Sequence, residues 1–142
     1  IGELEGLNGE HCAAIALFHD NGECRIGDHH KIAKRYLSKA DGERAALLEQ
    51  LKSLPAKLGK KISALVDQHD HDNTPEGKVA HDADTLEFAL QAKIHAEQGN
   101  VQTQRMFKRQ AKKFFTQTAQ RLYSTVAEMD DFANCWNRQL SE

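Results

Sequence analysis

Residues 74–99 carry the start and stop signals of one long helix, and no other segment constrains the fold as strongly. Thr74 is suited to cap the helix, Pro75 fits its first turn, and Glu76 favours the positive end of the helix dipole. Gly99 marks the stop. Apolar residues occupy two faces of the segment, which predicts a helix at the centre of the fold. These residues are Val79, Ala80, Ala83, Leu86, Phe88, Leu90, Ala92 and Ile94.

The rest of the chain also has helical periodicity. The apolar run 12–18 predicts an inner helix that is buried on all sides, and Asp41 is a good cap for a helix that follows it. No segment alternates apolar and polar residues as a strand would, so the predicted fold class is all-α, a compact multi-helix bundle. The predicted helices cover about residues 10–20, 29–37, 42–54, 55–68 and 75–98, with two or three amphipathic helices over 101–140.

Composition limits the classes of partner. The 142 residues are enough for a single domain with a real core, assigned here to residues 1–142. A net charge of −2 gives no general attraction to nucleic acid or to an anionic membrane, and no apolar stretch is long enough to span a bilayer. The three cysteines are too scattered for a disulfide framework, which predicts reduced thiols and a cytoplasmic protein.

Ionisable residues interrupt two of the apolar helices. His19 and Asp20 close the run 12–18, and Asp82 and Asp84 lie within the long central helix. Buried ionisable groups are costly unless they are paired or bound to a metal, so these residues indicate a metal centre. The competing interpretation of His19-Asp20 is a hydrogen-bonded pair that ends a helix.

The motif His19-Asp20-Asn21-Gly22-Glu23, followed by Gly27-Asp28, resembles the central motif of the HD-domain phosphohydrolases, in particular the 5′-deoxynucleotidase branch. The segment from Thr74-Pro75-Glu76 to Asp82-Ala83-Asp84 resembles the second metal-ligand segment of the same family. The resemblance extends from about Glu10 onward. It is specific because the motifs occur together, since an isolated His-Asp dipeptide would carry almost no information.

This resemblance implies an all-helical HD-domain bundle with one divalent metal held by two histidines and two aspartates. Carried over by position, His19, Asp20 and Asp84 would be metal ligands, and Glu23 and Asp28 would serve catalysis. The family's first histidine lies on an upstream helix and has no counterpart here. Together with the start at Ile1 rather than Met, this predicts a domain that lacks its N-terminal helices in this chain.

Helix geometry separates the two aspartates of the central helix. Residues two positions apart point about 200° apart, so Asp82 and Asp84 are not expected to bind the same ion. Asp84 lies toward the apolar face near Ala80 and Phe88, which favours it as the ligand. Asp82 is expected to be solvated or hydrogen bonded.

Several other residues have a functional and a structural interpretation. Glu23 would orient or deprotonate water, or be an exposed turn residue, and Asp28 would serve catalysis or cap a helix that starts at His29. Lys34, in a basic cluster with two neighbours, would contact the substrate phosphate or be solvated. The basic residues of segment 105–113 are interpreted as the outer face of an amphipathic helix. His69, His71 and His81 are interpreted as surface histidines rather than a second metal cluster.

The predicted function is metal-dependent hydrolysis that releases phosphate from nucleoside 5′-monophosphates, including 2′-deoxy forms. The substrate is a small phosphorylated molecule, with no nucleic-acid or membrane partner, and a homodimer is expected from the resemblance. Nitrogen and oxygen ligands admit Mn, Co, Mg, Fe, Ni or Zn. The alternative is a non-catalytic helical module with a degenerate metal site that binds a nucleotide or a protein.

Overall fold

The computed structural model of the protein describes residues 1–30, 32–71 and 73–135, apart from the side chains of Lys34, Lys39 and Ala40. Within these ranges the chain forms helices and no strand, which confirms the predicted all-α class. None of the described helices is long and apolar enough to cross a membrane. The helices are α1 (Gly9–Phe18), α2 (Glu23–Ile26), α3 (Lys39–Leu51), α4 (Ala56–Asp70), α5 (Pro75–Glu97), α6 (Val101–Gln110) and α7 (Gln117–Glu128).

Helix α5 is the central element, as predicted. Thr74 caps it by accepting a 2.9 Å hydrogen bond from the backbone N–H of Gly77, and Pro75 is its first residue. The helix ends at Glu97, and Gly99 follows with a φ of 96°, a left-handed conformation that glycine adopts without strain. Helix α5 contacts α1 and α4, which precede it in the chain, and α6 and α7, which follow it. Side chains from both parts of the sequence therefore meet on α5.

The described core contains three clusters of buried apolar side chains. In the first, Leu86 packs with Phe107 of α6 and Tyr123 of α7, whose rings stack with centroids 4.7 Å apart. In the second, Ile15 of α1 packs against Leu65 of α4 and Ala80 of α5. The third joins α3 to α4 through Leu47, Ile62 and Val66. Burial of each large apolar side chain stabilises the fold by about 1.5–3 kcal/mol. The second cluster fixes α1 and α4 against α5 and so determines where their C-terminal ends lie.

Asp82 joins α5 to the start of α7 through hydrogen bonds. Its fully buried carboxylate accepts the backbone N–H groups of Phe115 and Thr116, both at 2.8 Å, and the Thr116 hydroxyl at 2.6 Å. Thr116 in turn caps α7. Asp82 is therefore hydrogen bonded rather than solvated, and it fixes the start of α7 against α5.

Three details differ from the sequence-based predictions. Helix α1 is not buried on all sides. It packs against α4 and α5, but Leu17 is 73% exposed, so part of its circumference remains uncovered. The helix predicted over 29–37 is wrong: the described part contains a single 3-10 turn at Ala33–Arg35. Asp41 lies inside the first turn of α3 rather than before it, and there it accepts a hydrogen bond from the Ser38 hydroxyl.

Candidate metal centre

Side chains from α4, α5 and the end of α1 converge at one place. His19 directly follows α1, His69 lies in the last turn of α4, and Asp84 lies in α5. The rings of His19 and His69 have centroids 4.3 Å apart. One ligand atom from each of the three residues lies within 4.8 Å of the others. Residues remote in sequence thus form a compact set of nitrogen and oxygen donors.

His19 is oriented by its own helix. Its Nδ1 atom lies 2.7 Å from the carbonyl oxygen of Ala16, and since a carbonyl only accepts, Nδ1 carries the hydrogen. The Nε2 atom then faces the carboxylates, 3.0 Å from Oδ2 of Asp20 and 3.7 Å from Oδ1 of Asp84. This orientation leaves Nε2 as the nitrogen available for a ligand.

The carboxylates shift the charge state of the imidazole. Hydrogen bonding of the imidazole to the Asp84 carboxylate raises the pKa of His19 to about 9, although burial opposes the shift, and the Ala16 carbonyl and the Asp20 charge add to it. The same contact with His19 lowers the pKa of the Asp84 carboxyl against the opposing effect of burial. The site is therefore electrostatically suited to a positive charge.

The donor chemistry of this cluster fits a divalent metal. Imidazole nitrogen and carboxylate oxygen are the ligands that divalent transition metals accept in proteins. The Asp20 and Asp84 side chains are 58% and 51% exposed, whereas the His19 side chain is only 16% exposed. The cluster thus has a buried imidazole side and a side that opens to solvent.

The open side faces a cleft of about 1150 Å³, large enough for a nucleotide-sized ligand. Glu23 and Asp28 line it together with the cluster. Gly27, with a φ of 74°, turns the chain between α2 and Asp28. Residues 27–30 form no helix, so no helix begins at His29 for Asp28 to cap. The side chains that line the cleft include His19, Asp20, Glu23, Asp28, His69, Asp84, Phe88, Met106, Arg109 and Lys113.

The structure therefore brings five of the predicted site residues to one cleft: His19, Asp20, Glu23, Asp28 and Asp84. The predicted substrate contact Lys34 lies outside the described side chains, and its role stays a prediction.

Two features of the cleft were not expected from the sequence. His69 was interpreted as a surface histidine, but its side chain is only 14% exposed and belongs to the cluster. Arg109 and Lys113 were assigned to an outer basic face, yet both line the cleft while remaining exposed. No spacing rule relates residue 69 to residue 19, so only the packing of α4 beside α1 reveals the contact. His71 is exposed, as predicted.

Comparison with known proteins agrees with the family resemblance of the sequence motifs. Residues 2–130 match the family model described as HD domain. The chain is similar to proteins named 5′-deoxynucleotidase HDDC2: 34% identical over 94 residues to that of Xenopus laevis, 34% over 95 residues to that of Danio rerio, and 32% over 89 residues to that of Homo sapiens. These matches cover 64%, 64% and 61% of the chain and 46%, 46% and 43% of the relatives, so the chain spans about half their length. No solved structure matches.

Proposed function

This chain belongs to the HD domain family, and we propose that it is a metal-dependent phosphohydrolase that releases phosphate from nucleoside 5′-monophosphates, 2′-deoxy forms included. The observation that carries the proposal is the convergence of His19 and Asp84, with Asp20 beside them, at the edge of a cleft. These three residues would hold one divalent cation. A bound cation acidifies water and offsets negative charge on the phosphoryl oxygens.

Two acidic residues of the cleft are assigned to proton transfer. Glu23 orients the attacking water and accepts its proton as the new oxygen–phosphorus bond forms. The bond between phosphorus and the 5′ oxygen breaks, and Asp28 delivers a proton to that oxygen. The products are the nucleoside and inorganic phosphate.

Other side chains that line the cleft offer the chemistry for substrate recognition. Arg109 and Lys113 supply positive charge for the phosphate, and Lys34 is retained as a further predicted contact. Phe88 and Met106 supply apolar surface against which a nucleobase would pack. A cleft that combines a metal cluster with basic and apolar groups suits a phosphate ester with a flat apolar substituent.

The proposal is tested by metal content and phosphate release. The purified protein is dialysed and its metal measured, and it is then assayed with Mn²⁺, Co²⁺ and Mg²⁺ against ribose and deoxyribose 5′-monophosphates. Nucleoside 3′-monophosphates are the matched control substrates, because they carry the same base and charge with the ester at the wrong position. We expect turnover of the 5′ esters that a chelator abolishes. A protein that retains no metal and shows no turnover would instead favour the non-catalytic module that binds a nucleotide or a protein.

Two further properties belong to the proposal. Cys12, Cys24 and Cys135 are free thiols, which is the state a reducing compartment maintains and which supports a cytoplasmic location. Homodimerisation is proposed from the family resemblance, and the molar mass in solution would test it.

A further inference from the structure

We propose that His69 is a further protein ligand of the divalent metal, supplied from α4 to the cation that His19, Asp20 and Asp84 would hold. This inference rests on the proposed metal-dependent function. It adds a second imidazole that the motif around His19 does not provide. The argument depends on the placement of the His69 ring, the state of its two nitrogens and the distances within the cluster.

The two ring nitrogens of His69 have different surroundings. Nδ1 lies 3.9 Å from Oδ1 of Asp70, whose side chain is 49% exposed. Nε2 is inaccessible to solvent and has no hydrogen-bond partner among the described residues. A buried polar atom left without a partner costs about 1–3 kcal/mol, so its position calls for a ligand. A histidine ligand commonly directs its other ring nitrogen toward a carboxylate, and the Asp70 carboxylate lies near Nδ1 although beyond hydrogen-bond distance.

Packing alone does not explain this arrangement. The His69 ring stacks on His81 with centroids 5.6 Å apart, and His81 in turn meets the edge of Phe115. Stacking uses the faces of a ring, whereas the lone pair or hydrogen of Nε2 lies in the ring plane. The stack therefore holds the ring in place without satisfying Nε2.

The distances are close to those of a common ligand set. Two ligand atoms that each lie about 2.0–2.2 Å from an ion are at most about 4.4 Å apart. The cluster of His19, His69 and Asp84 has its ligand atoms within 4.8 Å. Adjustments of a few tenths of an ångström would bring the three onto one ion, which side-chain rotation at the half-exposed Asp84 allows.

A second imidazole also changes the expected metal. Imidazole ligands suit Zn, Cu, Fe and Ni, whereas sites of carboxylate, carbonyl and water suit Mg, Ca and Mn. With both His19 and His69 bound, the site should prefer a transition metal to Mg²⁺.

The test measures binding of Co²⁺ and Zn²⁺ rather than activity. The variants are His69→Gln and, as the matched control, His71→Gln, which changes an exposed histidine just beyond the end of α4. We expect His69→Gln to weaken Co²⁺ binding by more than about 10-fold, since even residues that only orient ligands contribute about 10–100-fold. The visible spectrum of bound Co²⁺ should change as well. His71→Gln should match the parent protein in both measurements.

A measurement on the parent protein covers the case in which the variant does not fold. The imidazole nitrogens are labelled with ¹⁵N, assigned through bonds to the backbone, and followed as Zn²⁺ is added. A shift of Nε2 in both His19 and His69 supports the inference. A shift in His19 with none in His69 overturns it and leaves the proposed metal site intact. No shift in either overturns both the inference and the metal-dependent function.

Discussion

The Nε2 atom of His19 lies 3.7 Å from Oδ1 of Asp84, a contact that joins the end of α1 to the middle of α5. It exists because Ile15, on the buried face of α1, packs against Ala80, one turn before Asp84 on α5. The packing of two apolar side chains thus positions two polar ones.

Replacing the α5 carboxylate should remove the metal. Asp84→Asn keeps the size of the side chain but loses its negative charge, so we expect metal affinity to fall by more than about 100-fold. Bound metal after dialysis measures this effect. Glu128→Gln, an exposed change at the end of α7, is the charge-matched control and should retain the metal of the parent protein. Equal metal content in Asp84→Asn and the control would contradict the ligand role.

Glu23 should affect the rate and not the metal. Glu23→Gln removes the proton acceptor while the cluster around His19 stays intact, so we expect kcat to fall by about 10²–10⁴-fold at unchanged metal content. Metal analysis and steady-state kinetics on the same preparation separate the two effects. A variant that turned over as fast as the parent protein would refute the assigned role.

Arg109 should contribute to substrate binding through its charge. Because the side chain is exposed, its contact with a phosphate is worth about 1 kcal/mol, so Arg109→Ala should raise KM about fivefold with little change in kcat. Arg105→Ala is the matched control, since Arg105 is an exposed arginine of α6 outside the residues that line the cleft. Identical KM values for the two variants would rule out this contact.

Asp82 should matter for folding rather than for metal binding. Its carboxylate accepts three hydrogen bonds in a fully buried position, and the amide of Asp82→Asn would present its NH₂ group to at least one of those donors. We expect a loss of about 2–3 kcal/mol in the free energy of unfolding, measured by urea denaturation. Glu87→Gln, an exposed change on the same helix, should leave stability within about 0.5 kcal/mol of the parent value.

The Glu97 carboxylate should stabilise the folded protein near neutral pH, and this contribution should be lost in acid. Burial alone would raise the pKa of Glu97, but the backbone N–H groups of Ala133 and Phe132 and the ammonium of Lys93 outweigh it and lower the pKa below 4.5. A carboxyl whose folded-state pKa is depressed contributes stability above pH 4.5, and that contribution is lost as pH falls through the folded-state value.

The variant Glu97→Gln isolates this effect, because it cannot titrate. The parent protein should be more stable than Glu97→Gln above pH 4.5, and the difference should shrink on acidification. Thermal unfolding between pH 3 and 7 measures it. A stability difference independent of pH would show that the Glu97 charge is not responsible.

Local signals predicted helix α5 well. Thr74 and Pro75 act through hydrogen bonds and backbone angles within one turn, and Gly99 takes up a conformation that favours glycine. The helix predicted over 29–37 failed, because that segment had a basic face but lacked comparable start and stop signals. The burial of α1 was overestimated, because an apolar run does not reveal how many neighbours surround a helix. Leu17 faces away from the neighbours that α1 has.

The candidate metal site also combines features that the sequence predicted with contacts that depend on the tertiary structure. The sequence by itself determined the all-helical class and the HD motif, because caps, periodicity and the grouping of His19, Asp20, Glu23 and Asp28 all lie within short stretches of chain. The family resemblance predicted that Asp84 and His19 share a metal site, but only the tertiary structure showed their contact, the position of His69 beside them, and the buried hydrogen bonds of Asp82 to the start of α7. These contacts depend on which helix faces pack together, and no local spacing encodes the distance between side chains on different helices.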